Sequence, residues 1–132
     1  MGTTANLTKQ NPEFSTFNDN IVVVQCLETI PGGRTLDVTG YTPDIIPAGH
    51  PIIVDEATGK TYKPFPVSDG ALGTLPVGYK YVGINISTIL KDKPFSGIMV
   101  RGTVNKNATY YPMTSILSAI STALPLIRFT QD

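Results

Sequence analysis

The sequence predicts a mainly β (α+β) protein, with a small sandwich or barrel-like domain, one short C-terminal helix and an extended N-terminal arm. Several short runs rich in β-branched residues are separated by glycine and proline turns, as in an all-β domain. Only one late segment has apolar residues at three- and four-residue spacing. The chain has 132 residues, which fits one domain with a real core.

The first 20 residues differ in composition from the rest of the chain. They are polar and rich in Thr and Asn, and Phe14 and Phe17 are their sizeable apolar side chains. Such a segment cannot bury enough apolar surface to offset its ordering entropy by itself. We therefore predict a flexible arm over residues 1–20 and a single β-rich domain over residues 21–132. The composition alone is equally consistent with a simple floppy terminus.

The predicted strands follow the arm in order. Residues 21–27 form an apolar, β-branched run that predicts a strand buried on both faces. The remaining predicted strands are 34–39, 51–55, 60–64, 81–86, 97–104 and 126–130, with a turn at 56–59, a surface loop at 64–80 and a close backbone approach or bulge at Gly83. The helix is predicted over residues 112–123, because Pro112 suits a first helical position and Pro125 ends the apolar pattern.

Charge and hydropathy argue against several kinds of partner. Lys plus Arg equals 10 and Asp plus Glu equals 10, so the formal net charge is zero, and charged residues make up only 15% of the chain. A weakly charged surface tends to associate with other proteins. The basic residues are scattered, which argues against nucleic acid. The sequence lacks an apolar run of membrane-spanning length and the features of a signal peptide, so we predict no membrane partner and synthesis in a cytosol-like compartment.

The residue types needed for catalysis or metal binding are scarce. Cys26 is the sole cysteine and lies in an apolar run, which favours a buried core thiol over a nucleophile or ligand. His50 is the sole histidine and lies between Gly49 and Pro51 in a turn, where a surface histidine is expected. A zinc site needs three or four ligands. We predict no catalytic residue, no metal and no cofactor.

Two further patterns leave an alternative open. Asp55 and Glu56 are adjacent at a turn, with too few acids nearby for a calcium loop. Lys60 follows the same turn, in the general setting of the modified lysine of a lipoyl-type carrier domain, but without that domain's neighbouring residues. A small β-barrel carrier or enzyme domain, using Lys60 or His50, therefore stays as a minor alternative.

Residues 47–132 resemble the head decoration proteins of phage lambda and its relatives. Four segments appear in the same order as in that family, namely PAGHPIIVDEATGKTYKP, YVGINI, GIMVRGTVNKNATY and, after a short helix, LPLIRFTQD. The order and spacing carry the resemblance, since no single segment is specific. The additional block at 21–46 departs from the family pattern. It leaves open a likeness to a broader group that includes phage head fibre proteins.

The resemblance implies a structural protein of the virion. The chain would be made in the cytoplasm of the host bacterium, would form a homotrimer on the outer surface of a phage capsid, and would bind the major capsid protein and stabilise the shell. The arm of that family adds a strand to a capsid-protein sheet. The corresponding candidates here are Phe14, Phe17, Ile21, Val22, Val23 and Val24. Another phage appendage component, such as a tail or fibre-base domain, is the main alternative.

The contact between subunits is predicted from exposed tyrosines and from one helix face. Tyrosines give amphipathic contact area at low entropy cost, although each could equally lie half buried in the sheet. The candidate interface residues are Tyr110, Tyr111, Ile116 and Ile120. Periodicity leaves open whether Ile116 and Ile120 pack within a subunit or between subunits.

Overall fold

The computed structural model describes residues 19–68 and 70–130, with side chains from residue 21 onward. Strands make up 42% of the chain and helices 8%, which confirms the mainly β fold with one short C-terminal helix. No helix in these ranges is long and apolar enough to cross a membrane. Phe14 and Phe17 lie outside the described residues.

The elements follow one another closely along the chain. The helices are α1 Asp19–Val22 and α2 Leu117–Ala123. The strands are β1 Val23–Thr29, β2 Arg34–Thr35, β3 Ile45–Ile46, β4 Pro51–Asp55, β5 Tyr62–Pro64, β6 Val67–Ser68, β7 Ala71–Leu72, β8 Tyr79–Asn85, β9 Ile89–Leu90, β10 Phe95–Ser96, β11 Ile98–Asn105 and β12 Ile127–Thr130.

One six-stranded sheet organises the domain. Its order is β1-β11-β8-β4-β5, and β12 also pairs with β11. All pairs in this sheet are antiparallel except β11 with β12, which are parallel. The parallel pair needs a crossover connection, and α2 lies within it. Three two-stranded sheets accompany the large one, and the sheets do not close into a barrel.

Two apolar clusters cover the middle of the sheet. Ile52 and Ile53 are neighbours in β4 and are both completely buried, but Ile53 belongs to the cluster that contains α2, whereas Ile52 belongs to the other. Successive side chains of a strand point to opposite faces, so a strand that is covered on both faces must be apolar throughout. β4 meets that requirement and coincides with its predicted bounds.

Gly83 confirms the prediction of a close backbone approach. A Cβ atom at this position would lie 2.5 Å from the carbonyl oxygen of Met99 and 2.6 Å from Cγ2 of Ile98. The absence of a side chain at Gly83 lets β8 and β11 approach each other closely, next to the two residue pairs that join them.

After residue 30, three predicted elements differ from those observed by more than two residues. The helix begins at Leu117 rather than at residue 112, and Ile116 caps it without a side-chain hydrogen bond. The strand predicted at 34–39 is reduced to β2, because only Arg34 and Thr35 find partners in β10. The predicted surface loop at 64–80 contains the β6–β7 hairpin, and it supplies Phe65 and Leu72 to the core.

Candidate functional site

The outer side of the large sheet at β1 presents apolar residues to solvent. We define the β1 edge as Ile21, Val24 and Leu27, whose exposed fractions are 53%, 47% and 57%. β1 is the terminal strand of the sheet, and no described strand pairs with its outer side. The prediction that residues 21–27 form a strand buried on both faces is therefore wrong: a strand forms from Val23, but most of it is exposed.

Irregular pairing accompanies the exposure of these residues. The register between β1 and β11 shifts at three places, and Val24 and Leu27 each lie within one of these shifts without a partner. Gln25, Cys26 and Glu28 are paired with β11 and are exposed as well. The middle of β1 is therefore exposed whether or not its residues are paired, which the apolar sequence pattern did not reveal.

Cys26 lies on the same strand and is exposed. The prediction of a buried core thiol is wrong, because it rested on the apolar neighbours of Cys26 and those neighbours are themselves exposed. Glu28, further along β1, lies 3.7 Å from Arg101, and both side chains are more than half exposed. Such a pair contributes little to stability.

Val22 anchors the start of β1 to the rest of the domain. Its side chain is 2% exposed and lies against Gly49, which has a φ of 84°. A Cβ atom at Gly49 would overlap the Val22 side chain, so only glycine permits both this backbone conformation and this contact. Of the predicted arm-contact residues, Val22 therefore belongs to the core, whereas Ile21 and Val24 are exposed and Val23 is half-buried.

His50 lies next to this anchor and forms a second region of interest. We define the His50 cluster as Tyr41, His50 and Tyr111. The ring centroids of Tyr41 and Tyr111 lie 5.6 Å and 5.8 Å from that of His50, both in edge-on orientation. Tyr41 belongs to one apolar cluster of the domain and Tyr111 to the other. His50 is 2% exposed, so the prediction of a surface histidine is wrong.

The hydrogen bonds of His50 define its protonation state. The Nε2 atom lies 2.8 Å from the carbonyl oxygen of Phe65, which can only accept, so Nε2 carries the proton. The Nδ1 atom is buried and has no hydrogen-bond partner among the described residues. Burial lowers the pKa of His50 to about 4, and the bond to Phe65 opposes this shift only in part. The imidazole is therefore neutral at neutral pH.

A small cavity of about 10 Å³ adjoins His50, close to the minimum that holds one water molecule. It is lined by residues 47–51, Leu72 and residues 109–111. Burial also raises the pKa of Tyr41 above its usual range.

Asn85 holds one side of the His50 cluster in place. Its Nδ2 atom donates to the carbonyl oxygens of Ile46 and Pro47, at 3.0 Å each, and its Oδ1 atom accepts from Oγ of Ser96 at 2.9 Å. The Gly49 amide also donates to the Asn85 carbonyl oxygen at 2.8 Å. Since Asn85 is fully buried, these bonds fix the chain that leads into His50.

The predicted subunit-interface residues separate into two groups. Tyr111, Ile116 and Ile120 are buried within the core of the single chain, with Ile120 completely so. Tyr110 is 65% exposed and contacts the ring of Tyr111. The packing of Ile116 and Ile120 is thus within the subunit, and Tyr110 is the one member of the predicted set that lies at the surface.

The described residues contain no group of three or more His, Cys, Asp and Glu side chains that could hold a metal ion. Comparison of the chain with protein-family models, curated proteins and solved structures finds no match.

Proposed function

We propose that this chain is a structural protein of a phage virion, which binds the outer surface of the capsid as a homotrimer and stabilises it. The observation that carries the proposal is the β1 edge. It combines a terminal strand whose outer side has no described partner with three half-exposed apolar side chains. This geometry suits binding to another protein chain and needs no catalytic turnover.

The physical argument rests on the backbone of a terminal strand. Its outward N–H and C=O groups can pair with a strand of another protein, and its side chains then determine which partner fits. Val24 and Leu27 offer apolar contact area beside that backbone. With a net charge of zero, the protein has little long-range electrostatic repulsion to overcome on approach.

The position of the arm supports the same partner surface. Residues 1–18 join the domain at α1, which leads directly into β1. Val22 fixes the start of β1 against Gly49. Arm and edge could therefore contact one capsid protein together. In a trimer, three such contacts would act at high effective concentration, so weak individual contacts would give strong overall binding.

The first test is the mass of the protein in solution, measured by light scattering over a range of concentrations. We expect three times the chain mass of 14.2 kDa. The second is binding to expanded capsids that have been emptied of DNA. A persistent monomer that does not bind such capsids would overturn the proposal, and a trimer that binds isolated tails instead would favour the appendage alternative.

A matched pair of variants tests the role of the β1 edge. Leu27→Glu puts a charge into the proposed contact, and we expect roughly tenfold weaker capsid binding or more. Val77→Glu makes the same kind of change at a fully exposed residue in the loop before β8, and should leave binding unchanged. Both variants should keep the mass of the trimer. Loss of the trimer in Leu27→Glu alone would assign the β1 edge to subunit contact rather than to the capsid.

A further inference from the structure

Two segments meet at the His50 ring, residues 46–50 and residues 108–112, and they are held in place in different ways. On one side, residues 46–50 are tied to Asn85 by side-chain and backbone hydrogen bonds, including one from the Asn85 amide to the His50 carbonyl oxygen at 3.0 Å. Asn85 lies at the end of β8, next to β4 in the centre of the sheet. Displacing this side would break several buried hydrogen bonds at once.

On the other side, residues 108–112 make few hydrogen bonds, mostly local ones, and their main contact with the core is the buried ring of Tyr111. The Ala108 amide donates to the Asn105 carbonyl oxygen at 3.1 Å. Oγ1 of Thr109 lies 3.2 Å from the carbonyl oxygen of Lys106 and 2.9 Å from that of Tyr111. A side-chain hydrogen bond between the phenols of Tyr111 and Tyr41 connects this segment to the rest of the His50 cluster. Displacing residues 108–112 therefore breaks few hydrogen bonds.

The Nδ1 atom of His50 makes the difference between the two segments important when His50 is protonated. Because Nε2 already carries a proton, a second proton must bind at Nδ1. The new N–H group would have no acceptor among the described residues, and the charged ring would lie between two aromatic rings. A buried charge without a partner is strongly unfavourable, so the protonated ring needs contact with water.

We propose that residues 108–112 form a flap that opens when His50 is protonated, while residues 46–50 stay closed. Residues 109–111 line the cavity beside His50 together with residues 47–51, so displacing the flap would open this space to water. The flap also carries Tyr110, so opening it would change a surface that includes this exposed ring. The proposal does not depend on the capsid-binding function.

The groups that face His50 leave this residue as the one whose protonation would open the flap. The titratable side chains against its ring are the phenols of Tyr41 and Tyr111, and no carboxylate, lysine or arginine lines the cavity in the described part of the chain. His50 is the sole histidine of the sequence. Burial lowers the pKa of His50, so exposure to water would return the pKa towards 6.5 and favour proton uptake. Protonation therefore favours the open state.

Hydrogen exchange of the full chain tests the proposal, after division by the intrinsic exchange rate at each pH. With a pKa of about 4 when closed and 6.5 when open, the equilibrium constant for opening should rise roughly 30-fold between pH 7.5 and pH 5. We expect this rise for the amides of residues 108–111 and of Met113, since Pro112 has no N–H group. Amides of β4 and of residues 46–50 should rise by far less, because they exchange only through larger openings.

His50→Gln supplies the control, since a glutamine amide can still donate to Phe65 but does not titrate in this range. The variant should lose the pH-dependent rise at residues 108–113. An equal rise in β4 and in residues 108–113 of the unaltered protein would show global unfolding and overturn the flap. Unchanged exchange at residues 108–113 would also overturn it, whether or not the variant folds.

Discussion

Strands β4 and β1 are similar in sequence and opposite in environment. Both contain consecutive β-branched residues, yet Ile52 and Ile53 of β4 are completely buried whereas Val24 and Leu27 of β1 are about half exposed. β4 has β8 on one side and β5 on the other, but β1 has only β11. The comparison shows that an apolar, β-branched run specifies a strand without specifying its position in the sheet.

The two strands also differ in pairing and in cover. β4 keeps its register with β5 throughout and shifts once against β8. β1 shifts three times against its single partner, and Val24 and Leu27 lie at two of these shifts. The two apolar clusters cover both faces of β4, whereas residues 24–28 of β1 are exposed, paired and unpaired alike. Apolar side chains of β1 thus face solvent, where another chain could bind them.

The largest expected effect separates the two strands directly. Ile53→Ala removes a completely buried side chain and should lower the free energy of unfolding by about 4 kcal/mol. Leu27→Ala should change it by less than about 0.5 kcal/mol, because the side chain is already more than half exposed. Urea unfolding of both variants measures this difference. Similar losses in the two would show that β1 is packed as tightly as β4.

The hydrogen bonds of Asn85 should rank next in effect. Asn85→Ala removes three buried side-chain hydrogen bonds, those to the carbonyl oxygens of Ile46 and Pro47 and that from the Ser96 hydroxyl, and should cost about 3 kcal/mol. Ser96→Ala removes the bond to Oδ1 of Asn85 and a longer one to the Gly97 carbonyl oxygen at 3.2 Å, and should cost about 1 kcal/mol. Denaturant midpoints of the two variants test this ranking. Equal costs would mean that Asn85 contributes little through its bonds to residues 46–47.

Acid should destabilise the folded protein through the buried side chain of His50. Its pKa is about 4 in the folded chain and 6.5 when unfolded, so between these values the unfolded chain binds more protons. Stability should therefore fall as the pH falls, by about 2 kcal/mol from pH 7 to pH 5. Unfolding experiments over this range should show the slope in the natural protein and a flatter profile in His50→Gln. Equal slopes in the natural protein and in His50→Gln would show that a group other than His50 takes up the proton.

The smallest expected effect lies at the exposed strand. A double-mutant cycle on Glu28 and Arg101, with alanine at each position, should give a coupling energy below about 0.5 kcal/mol. Both side chains are more than half exposed, so water and salt screen their interaction. Coupling above about 1 kcal/mol would indicate that this region of β1 is held more rigidly than its exposure suggests.

Much of the fold could be predicted from local pattern. β4 has its predicted bounds, and β8, β11 and β12 differ from theirs by one or two residues. The late helix is predicted in the correct part of the chain, but its predicted start lies five residues too early. The apolar spacing continues through residues 113–116, where the chain forms turns instead of a helix. The stretch at 34–39 alternates like a strand, but its pairing with β10 covers only Arg34 and Thr35, and beyond them Leu36 and Asp37 make single backbone hydrogen bonds to Pro94 and Tyr62.

The predictions for single side chains were less accurate. Cys26 was expected inside and is exposed, whereas His50 was expected outside and is buried. In both cases the prediction from the immediate sequence neighbours is wrong. An apolar run can lie at the outer side of a sheet, and a glycine–proline turn can lie beneath other segments. Burial of His50 depends on Tyr41, Phe65 and Tyr111, which are distant from it in sequence or come from other elements.

The sequence by itself determined the mainly β composition, most strand positions, the late helix and the scarcity of catalytic and metal-binding residues. These follow from local quantities, namely side-chain branching, periodicity and the positions of glycine and proline. Only the tertiary structure decided which strand is terminal, which of its apolar residues are exposed, and that the single histidine is enclosed. These depend on contacts between distant segments, such as Val22 with Gly49 and Asn85 with residues 46–50, and no local pattern records them.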